Sequence, residues 1–342
     1  MQKLRYFTLA ALACAAFAGI TKAASAQQEV ILALPAANLG FAPAYIAEDK
    51  GFWAKQGLKV KMPIISGIGS MNAVLSKSAQ FSISSGLTII RANIRGQKVI
   101  QIAGTFDGLI EELVVDKKAA QAAGITIDSP IGKRVEFLKG KTIAIAGANA
   151  LPHGYLRLFV RKGGLNPERD IKVAVMQPEA AAAALKSGAI AGFVETLPQP
   201  FQAIDAGYGM LLSSGLRGGA KDRGDFPEIS PLALNGVMAR TDYCEENAGT
   251  CTKLVEGIAQ AMRFIRDNPK ESAELLHKHI PGMDRGVFEK SFSLWIKWMP
   301  ESPRMDDKRF GNAQEVMLQG GMLKPDEKLS SFAHIYTNKF VK

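Results

Sequence analysis

Short polar side chains recur in this sequence where apolar, strand-like runs end and the next helical stretch begins. Hydroxyl and amide groups in such turns, together with the unpaired N–H groups of a helix start, bind small polar or anionic molecules without covalent chemistry. The candidate ligand-binding residues of this kind are Asn38, Ser66, Ser70, Ser84, Ser85, Thr105 and Asn149. Each could instead cap a helix or form a turn, which is the commoner role of a single such residue. Their repetition at successive strand ends favours a binding site.

Three larger side chains at similar positions would decide what kind of molecule binds. Phe41 could stack on a flat ligand or pack on the first strand, and His153 could donate to an anion or lie at the surface. Glu195 could bind a cationic or amide-bearing ligand, or it could cap the following helix. If Glu195 faces the site, a simple oxyanion becomes a less attractive ligand because like charges repel. Arg91 and Arg95 are predicted to lie on a solvated helix face.

Motifs that carry catalysis are missing from the sequence, which contains no G-x-S-x-G elbow, no H-E-x-x-H and no C-x-x-C. The histidines, which are His153, His277, His279 and His334, are too few and too scattered to supply a metal site well. Gly67 and Gly69 lack the third glycine of a dinucleotide-binding loop. We therefore expect a protein that is not an enzyme and that holds no metal and no cofactor.

The first 26 residues have the pattern of a cleavable signal peptide. Lys3 and Arg5 precede an apolar run, 7–20, that is too short for a comfortable membrane span of about 20 residues. Ala24-Ser25-Ala26 is a small-residue cleavage site, so we expect release of residues 27–342 into the periplasm. Loss of Lys3, Arg5 and Lys22 lowers the formal net charge from +10 to +7. The positive charges are scattered, so nucleic acid is not an expected partner.

The cysteine pattern suits an exported protein. Cys14 lies in the signal peptide and is removed with it, which leaves Cys244 and Cys251 around a turn-forming sequence. Two nearby cysteines can pair in an oxidising compartment. We predict a short structural disulfide between Cys244 and Cys251.

The elements that must position these residues alternate between strand and helix. Strands are predicted at 30–34, 58–63, 80–83, 99–103, 113–115, 142–145, 170–175, 190–194, 208–212 and 232–239, and nearly everything after residue 246 is predicted to be helical. Such alternation predicts mostly parallel sheets flanked by helices. We predict a first lobe beginning with residues 27–113, a second lobe of 114–231, and a return of 232–342 to the first lobe with C-terminal helices. The chain would cross between the lobes near Glu112–Val115 and near Pro231–Gly236.

The segment 39–58, LGFAPAYIAEDKGFWAKQGL, resembles the opening of one family of solute-binding proteins. That family serves ABC transporters for nitrate, aliphatic sulfonates, taurine and thiamine-precursor pyrimidines. Ser66-Gly67 with Ala73 to Phe81, and Ala191 to Glu195 with Pro198, are similar to two further elements of the family. The similarity runs over essentially the whole chain after the signal peptide, and no part of it is specific for a ligand.

The resemblance implies an α/β, two-lobed periplasmic-binding-protein fold (type II-like) with hinges at the two crossings. It also implies a membrane permease and its ATPase as partners, and closure of the lobes on a small-molecule ligand. We expect a monomer and a small anionic nutrient, sulfonate- or nitrate-like, although Phe41 and Glu195 leave aromatic or pyrimidine-like ligands open. Two alternatives remain: a same-fold enzyme related to pyrimidine synthesis, and a ligand-sensing partner of a signalling receptor.

Overall fold

Apolar runs that end at small or polar residues form the strands of the structure. The computed structural model describes residues 27–148, 150–216 and 224–342. In that part of the chain the strands are β1 Gln28–Ala33, β2 Leu58–Lys61, β3 Phe81–Ser85, β4 Val99–Phe106, β5 Glu111–Asp116, β6 Thr142–Ile145, β7 Lys172–Val175, β8 Gly192–Thr196, β9 Gly209–Ser214 and β10 Asn235–Arg240. Strands β3, β4 and β5 are buried along nearly their whole length, as expected of strands covered on both faces.

The helices connect the strands and cover the sheets. They are α1 Ala42–Asp49, α2 Gly69–Leu75, α3 Gly86–Ile94, α4 Lys117–Ala122, α5 Ile131–Glu136, α6 Leu151–Lys162, α7 Pro178–Ser187, α8 Gln199–Asp205, α9 Thr241–Glu246, α10 Ala248–Asp267, α11 Pro269–His277, α12 Arg285–Trp295 and α13 Asp307–Gln319. Helices α1, α6, α7, α8 and α11 each carry a proline in the first turn, where the missing N–H would have no helical partner. These prolines help to set where each helix begins.

Two five-stranded sheets form the cores of two lobes, with the strand orders β2-β1-β3-β10-β4 and β7-β6-β8-β5-β9. In the first sheet β1 pairs in parallel with β2 and β3, and in the second β6 pairs in parallel with β7 and β8. One strand in each sheet runs the other way: β10 is antiparallel to β3 and β4, and β5 is antiparallel to β8 and β9. The predicted two-lobed α/β fold with mostly parallel sheets is confirmed.

Both antiparallel strands directly follow a crossing between the lobes. The chain leaves β4 at Phe106 and enters the second sheet at Glu111, and it leaves β9 at Ser214 and re-enters the first sheet at Asn235. A chain that crosses at the cleft must enter the next sheet from the cleft side and run away from it. Of the predicted crossings, Glu112–Val115 therefore already belongs to β5, and the last two residues of Pro231–Gly236 already belong to β10.

The two crossings pack against one another and against the C-terminal helices. The Leu232 amide donates to the carbonyl oxygen of Asp107 at 3.0 Å. Arg309 of α13 donates through Nε to Asp107 Oδ2 at 2.7 Å. A Cβ on Gly108 would lie 2.8 Å from atoms of both Leu216 and Trp298, so only glycine allows this close approach. Burial, opposed in part by Arg309, raises the pKa of Asp107 to about 6.

Helix α10 packs on the first lobe, where it contacts α1, β2 and β4. Trp53, which is fully buried, donates its indole N–H to the Leu254 carbonyl oxygen of α10 at 2.9 Å. Helix α13 contacts both lobes, because it packs on α3 and on α6. Arg157 of α6 donates to the Gly320 carbonyl oxygen just beyond α13 at 3.3 Å.

Several parts of the chain were not predicted or cannot be compared. Helices α4, α5 and α9 had no counterpart among the predicted elements. The predicted signal peptide, 1–26, and Asn149 lie outside the described residues. Within the part of the chain that the structure describes, no helix is both long enough and apolar enough to span a membrane.

Candidate functional site

A cleft of about 600 Å³ opens between the two lobes. Residues of both sheets and of the turns at their strand ends line it, among them Asn38, Phe41, Ser70, Ser84 and Ser85 from the first lobe and Glu111, Leu151, Pro152, Glu195 and Thr196 from the second. This is the position at which open α/β sheets bind ligands, beyond the carboxyl ends of their parallel strands. Its volume falls within the range of small-molecule sites.

The first wall of the cleft is built on the starts of short helices. Asn38 accepts the Gly40 amide at 2.9 Å, and the ring of Phe41, only 5% exposed, lies beside it in the lining. Ser70 donates to the Gly67 carbonyl oxygen at 3.1 Å. These side chains both cap local turns and line the cleft, so the capping and the binding interpretations of Asn38 and Ser70 are compatible.

Strand β3 ends in a pair of serines at the start of α3. Ser85 accepts the Thr88 amide at 3.1 Å, and its hydroxyl also lies 2.9 Å from Thr88 Oγ1. The Ser84 hydroxyl lies 3.3 Å from that of Ser82, which is fully buried. Ser84, Ser85 and Thr88 all line the cleft, so the positive end of the α3 dipole faces it.

Two arginines of α3 and its C-terminal end add positive charge to this wall. Arg91 is half-buried and Arg95 is exposed, and both line the cleft. Arg91 donates to the Met322 carbonyl oxygen at 3.5 Å. Burial and the neighbouring Arg95 lower the pKa of Arg91 from its usual value. The exposure of Arg95 agrees with the predicted solvated helix face, and the structure adds that this face lines the cleft.

The second wall carries two carboxyl groups. Glu195, at the end of β8, is 8% exposed, and its Oε1 accepts the amide of Thr196 at 2.9 Å and the Thr196 hydroxyl at 3.3 Å. Glu111, the first residue of β5, is 1% exposed, and neither of its carboxyl oxygens has a hydrogen-bond partner. Both residues line the cleft.

Burial perturbs both acids. Loss of solvation is the main cause that raises the pKa of Glu111 to about 8, and the charge of Glu195 raises it further. Burial also raises the pKa of Glu195, although its hydrogen bonds from Thr196 oppose the change. At neutral pH, Glu111 therefore holds a proton beside a second acid.

Not every predicted residue reaches the cleft. Ser66 is exposed, Thr105 is fully buried on β4, and His153 is half-buried on α6; none of the three is in the lining. Ser66 precedes the start of α2, which places Ser70 in the lining, and the side chain of Thr105 is buried inside the lobe. Asn149 cannot be placed, although Ala148 and Ala150 on either side of it line the cleft. The cleft geometry therefore gives no support to ligand contact by Ser66, Thr105 or His153.

Glu111 and Asn235 were missed because both begin the antiparallel strands. Asn235 lines the cleft from the start of β10, where its amide nitrogen donates to the Gly40 carbonyl oxygen at 3.3 Å. Site residues were predicted only after strands, a rule that holds only for the parallel ones. The signal that points to these two residues is their position, since Glu111 directly precedes one predicted crossing and Asn235 lies within the other.

The predicted disulfide partners lie side by side. Cys244 of α9 and Cys251 of α10 are both buried, and their sulfur atoms are 3.1 Å apart. The structure holds both as free thiols. Pairing in an oxidising compartment stays a prediction.

Comparison with known proteins places this fold and cleft in a family. The profile described as NMT1/THI5 like matches residues 38–272, which is more than half of the chain. The chain belongs to the NMT1/THI5-like family. This result confirms the resemblance first seen in segment 39–58.

Individual relatives are distant but align along nearly their whole length. The riboflavin-binding protein RibY of Chloroflexus aurantiacus is 23% identical, with 100% of this chain and 99% of that protein covered. The periplasmic aliphatic sulphonate-binding protein SsuA of Escherichia coli has a solved structure with a TM-score of 0.66 at 18% identity, covering 85% of this chain and 91% of that one. The desulfurization enzyme DszB gives a TM-score of 0.63 at 14% identity, covering 92% and 97%. At these identities the structural likeness shows the fold, which both a binding protein and an enzyme share.

Proposed function

We propose that this protein is the solute-binding component of an ABC importer, and that it captures a small nutrient by closing its two lobes. The observation that carries the proposal is the cleft itself, which takes polar side chains from both lobes and lies beside the two chain crossings. A ligand held by both walls favours the closed arrangement, because it gains contacts there that the open arrangement does not offer. No covalent step is needed for this function.

The first wall supports an anionic group on the ligand. The start of α3 contributes its dipole and the hydroxyls of Ser85 and Thr88, and Arg91 and Arg95 contribute positive charge. A bare oxyanion such as nitrate is disfavoured, because Glu195 also lines the cleft and would repel it. The volume of about 600 Å³ also suits a larger molecule. We therefore favour an organic anion, such as a sulfonate or carboxylate, over an inorganic one.

The rest of the assignment follows from the family. We propose export to the periplasm, delivery of ligand to a membrane permease driven by an ATPase, and action as a monomer. A role as ligand-sensing partner of a receptor would use the same cleft, and co-purification with a sensor rather than a permease would distinguish it. Detectable turnover of a bound compound would instead favour an enzyme.

A thermal-shift screen of the purified protein tests the proposal. The panel should contain alkyl sulfonates, nitrate, aromatic carboxylates, pyrimidines and riboflavin. A ligand present at about 100 times its dissociation constant adds roughly 2.7 kcal/mol to the free energy of unfolding, which is a readily visible shift. A hit without turnover supports the proposal, and silence across the panel counts against it.

A pair of surface cations supplies the control for any anionic hit. Arg95→Gln removes a charge that lines the cleft, whereas Lys98→Gln removes an exposed charge three residues further along the chain, outside the lining. We expect the first substitution to weaken binding several-fold and the second to leave it unchanged. Equal effects would mean that only the overall field of the protein attracts the anion.

A further inference from the structure

The carboxyl group of Glu111 is buried without a partner at the wall of the cleft. Its side chain is 1% exposed, and both Oε1 and Oε2 lack a hydrogen bond within the described part of the chain. Burying such a group without compensation is costly, whether it is ionised or protonated. An unpartnered acid at the lining of a binding cleft is therefore unfavourable for stability and needs another explanation.

Glu195 is a second acid in the lining beside Glu111, and we refer to the two residues as the acidic pair. The charges of the two side chains interact strongly enough to affect the proton affinity of Glu111. Glu195 already takes two hydrogen bonds from Thr196, so it is better able to remain ionised than Glu111. Within the pair, Glu111 is therefore the acid that holds a proton at neutral pH, because its pKa is raised to about 8.

Among the residues that the structure describes, no cation of the second lobe interacts with Glu111 or Glu195, and the charge of Glu179 raises the pKa of Glu195 further. Among the elements packed on β5, the groups that interact electrostatically with Glu111 are Glu195 of β8, Tyr155 of α6 and Glu112 of β5 itself. Tyr155 is neutral at ordinary pH, and its hydroxyl lies 2.6 Å from that of Ser213. The cations near the cleft, Arg91 and Arg95, belong to the opposite wall.

We propose that Glu111 and Glu195 together accept a cationic nitrogen group of the ligand, such as an ammonium or amidinium, and that Glu111 releases its proton when that group binds. The inference rests on the proposed binding function and extends it to the chemistry of one end of the ligand. The proton leaves Glu111 for solvent, and no other covalent bond breaks. The N–H groups of the bound nitrogen group then donate hydrogen bonds to the two carboxylates. Both oxygens of Glu111 then gain the partners that they lack.

The proposal predicts a pH dependence with a definite sign. Binding of a permanent cation releases a proton, so its affinity should rise as the pH increases towards the pKa of Glu111, by up to about tenfold per pH unit. Above that pKa the affinity should level off, because Glu111 has already lost its proton. An anion or a neutral isostere should show no such rise.

The probes are benzamidine, benzamide and benzoate, which share one ring and differ in the charge of one substituent. Their dissociation constants should be measured by calorimetry with the full-length protein between about pH 6 and about pH 8.5. Proton release should be read directly, by back-titration with hydroxide in unbuffered potassium chloride, since common buffer ions could themselves enter the cleft. We expect benzamidine to bind at least about tenfold more tightly than benzamide near pH 8 and to release close to one proton near pH 7.

Two isosteric variants distinguish the effect of Glu111 from the effect of a neighbouring buried acid. Glu111→Gln should abolish proton release and flatten the pH profile of benzamidine binding. Glu112→Gln should leave both unchanged, because burial raises the pKa of Glu112 well above its usual value, so that its side chain is neutral like that of Gln, and because it lies outside the lining. The proton count of the unmodified protein tests the idea even if a variant does not fold.

The outcomes distinguish this inference from the proposed function. Binding of panel compounds with equal affinity for amidine and amide, or with no proton released, would overturn the inference and leave solute binding intact. Binding of benzoate but not benzamidine would do the same. If neither the three probes nor any compound of the panel binds, the proposed function fails and this inference fails with it.

Discussion

Raising the pH should destabilise the unliganded protein through Glu111. Burial and Glu195 raise the pKa of this carboxyl from 4.5 to about 8, so the folded protein holds a proton that the unfolded chain has already lost. Between these two values the folded state binds more protons, and the free energy of unfolding therefore falls as the pH rises. Each pH unit costs about 1.4 kcal/mol, so the loss between about pH 5.5 and about pH 7.5 is roughly 2.7 kcal/mol.

Urea denaturation followed by tryptophan fluorescence measures this loss. Glu111→Gln should remove that part of the slope. Burial also raises the pKa of Glu112 well above its usual value, so Glu112→Gln should remove a separate slope and leave the part due to Glu111 in place. The buried amide of Gln has its own desolvation cost, but that cost is the same at every pH and cancels when slopes are compared. Parallel stability profiles for Glu111→Gln and the unmodified protein would refute the reasoning, because Glu111 would then ionise normally in the folded state.

Contacts outside the acidic pair lead to three further expectations. The protein isolated under oxidising conditions should be lighter than its reduced form by two hydrogen atoms, and an unchanged mass would contradict the disulfide. The double substitution Cys244→Ser with Cys251→Ser should lower the free energy of unfolding by about 2 kcal/mol. Asp225→Asn should cost roughly 3 kcal/mol in urea, because it leaves Arg134, 6% exposed, without its counter-ion at 2.8 Å; a loss near zero would show that Arg134 finds other compensation. Ser85→Ala should cost about 1 kcal/mol and speed amide exchange in the first turn of α3, whereas Ser85→Thr should retain the cap.

Local sequence signals were sufficient for the fold. Strand β6 was predicted at 142–145 and lies at Thr142–Ile145, and the region after residue 246, which was predicted to be nearly all helical, contains α10, α11, α12 and α13. A short apolar strand between turn residues, or a helix that begins at a proline, is specified by its own residues. Helix α5, with six residues and a charged surface, carries too weak a periodicity to be read in this way.

The arginines of the cleft show what the pattern of one helix face does not reveal. Arg91 and Arg95 lie four residues apart and therefore share one face of α3, which was correctly treated as polar. The face was assigned to solvent because a single sequence does not say what lies opposite it. The second lobe lies opposite, across the cleft, and that arrangement depends on chain crossings more than ten residues away.

The missed residues of the strands have a different and more general cause. In a lobe of purely parallel strands, every residue that meets a ligand would follow a strand, and the rule used for the sequence would be complete. A two-lobed chain has to cross at the cleft, and each crossing strand then starts at the cleft and runs away from it. The first residue of each crossing strand, Glu111 in one lobe and Asn235 in the other, therefore lies in the lining of the cleft, as does the last residue of a parallel strand. The two side chains differ in burial, because Glu111 is 1% exposed whereas Asn235 is half-buried. A polar residue that opens a crossing strand can therefore be both buried and in the lining of the site, and for the acid Glu111 that burial raises the pKa.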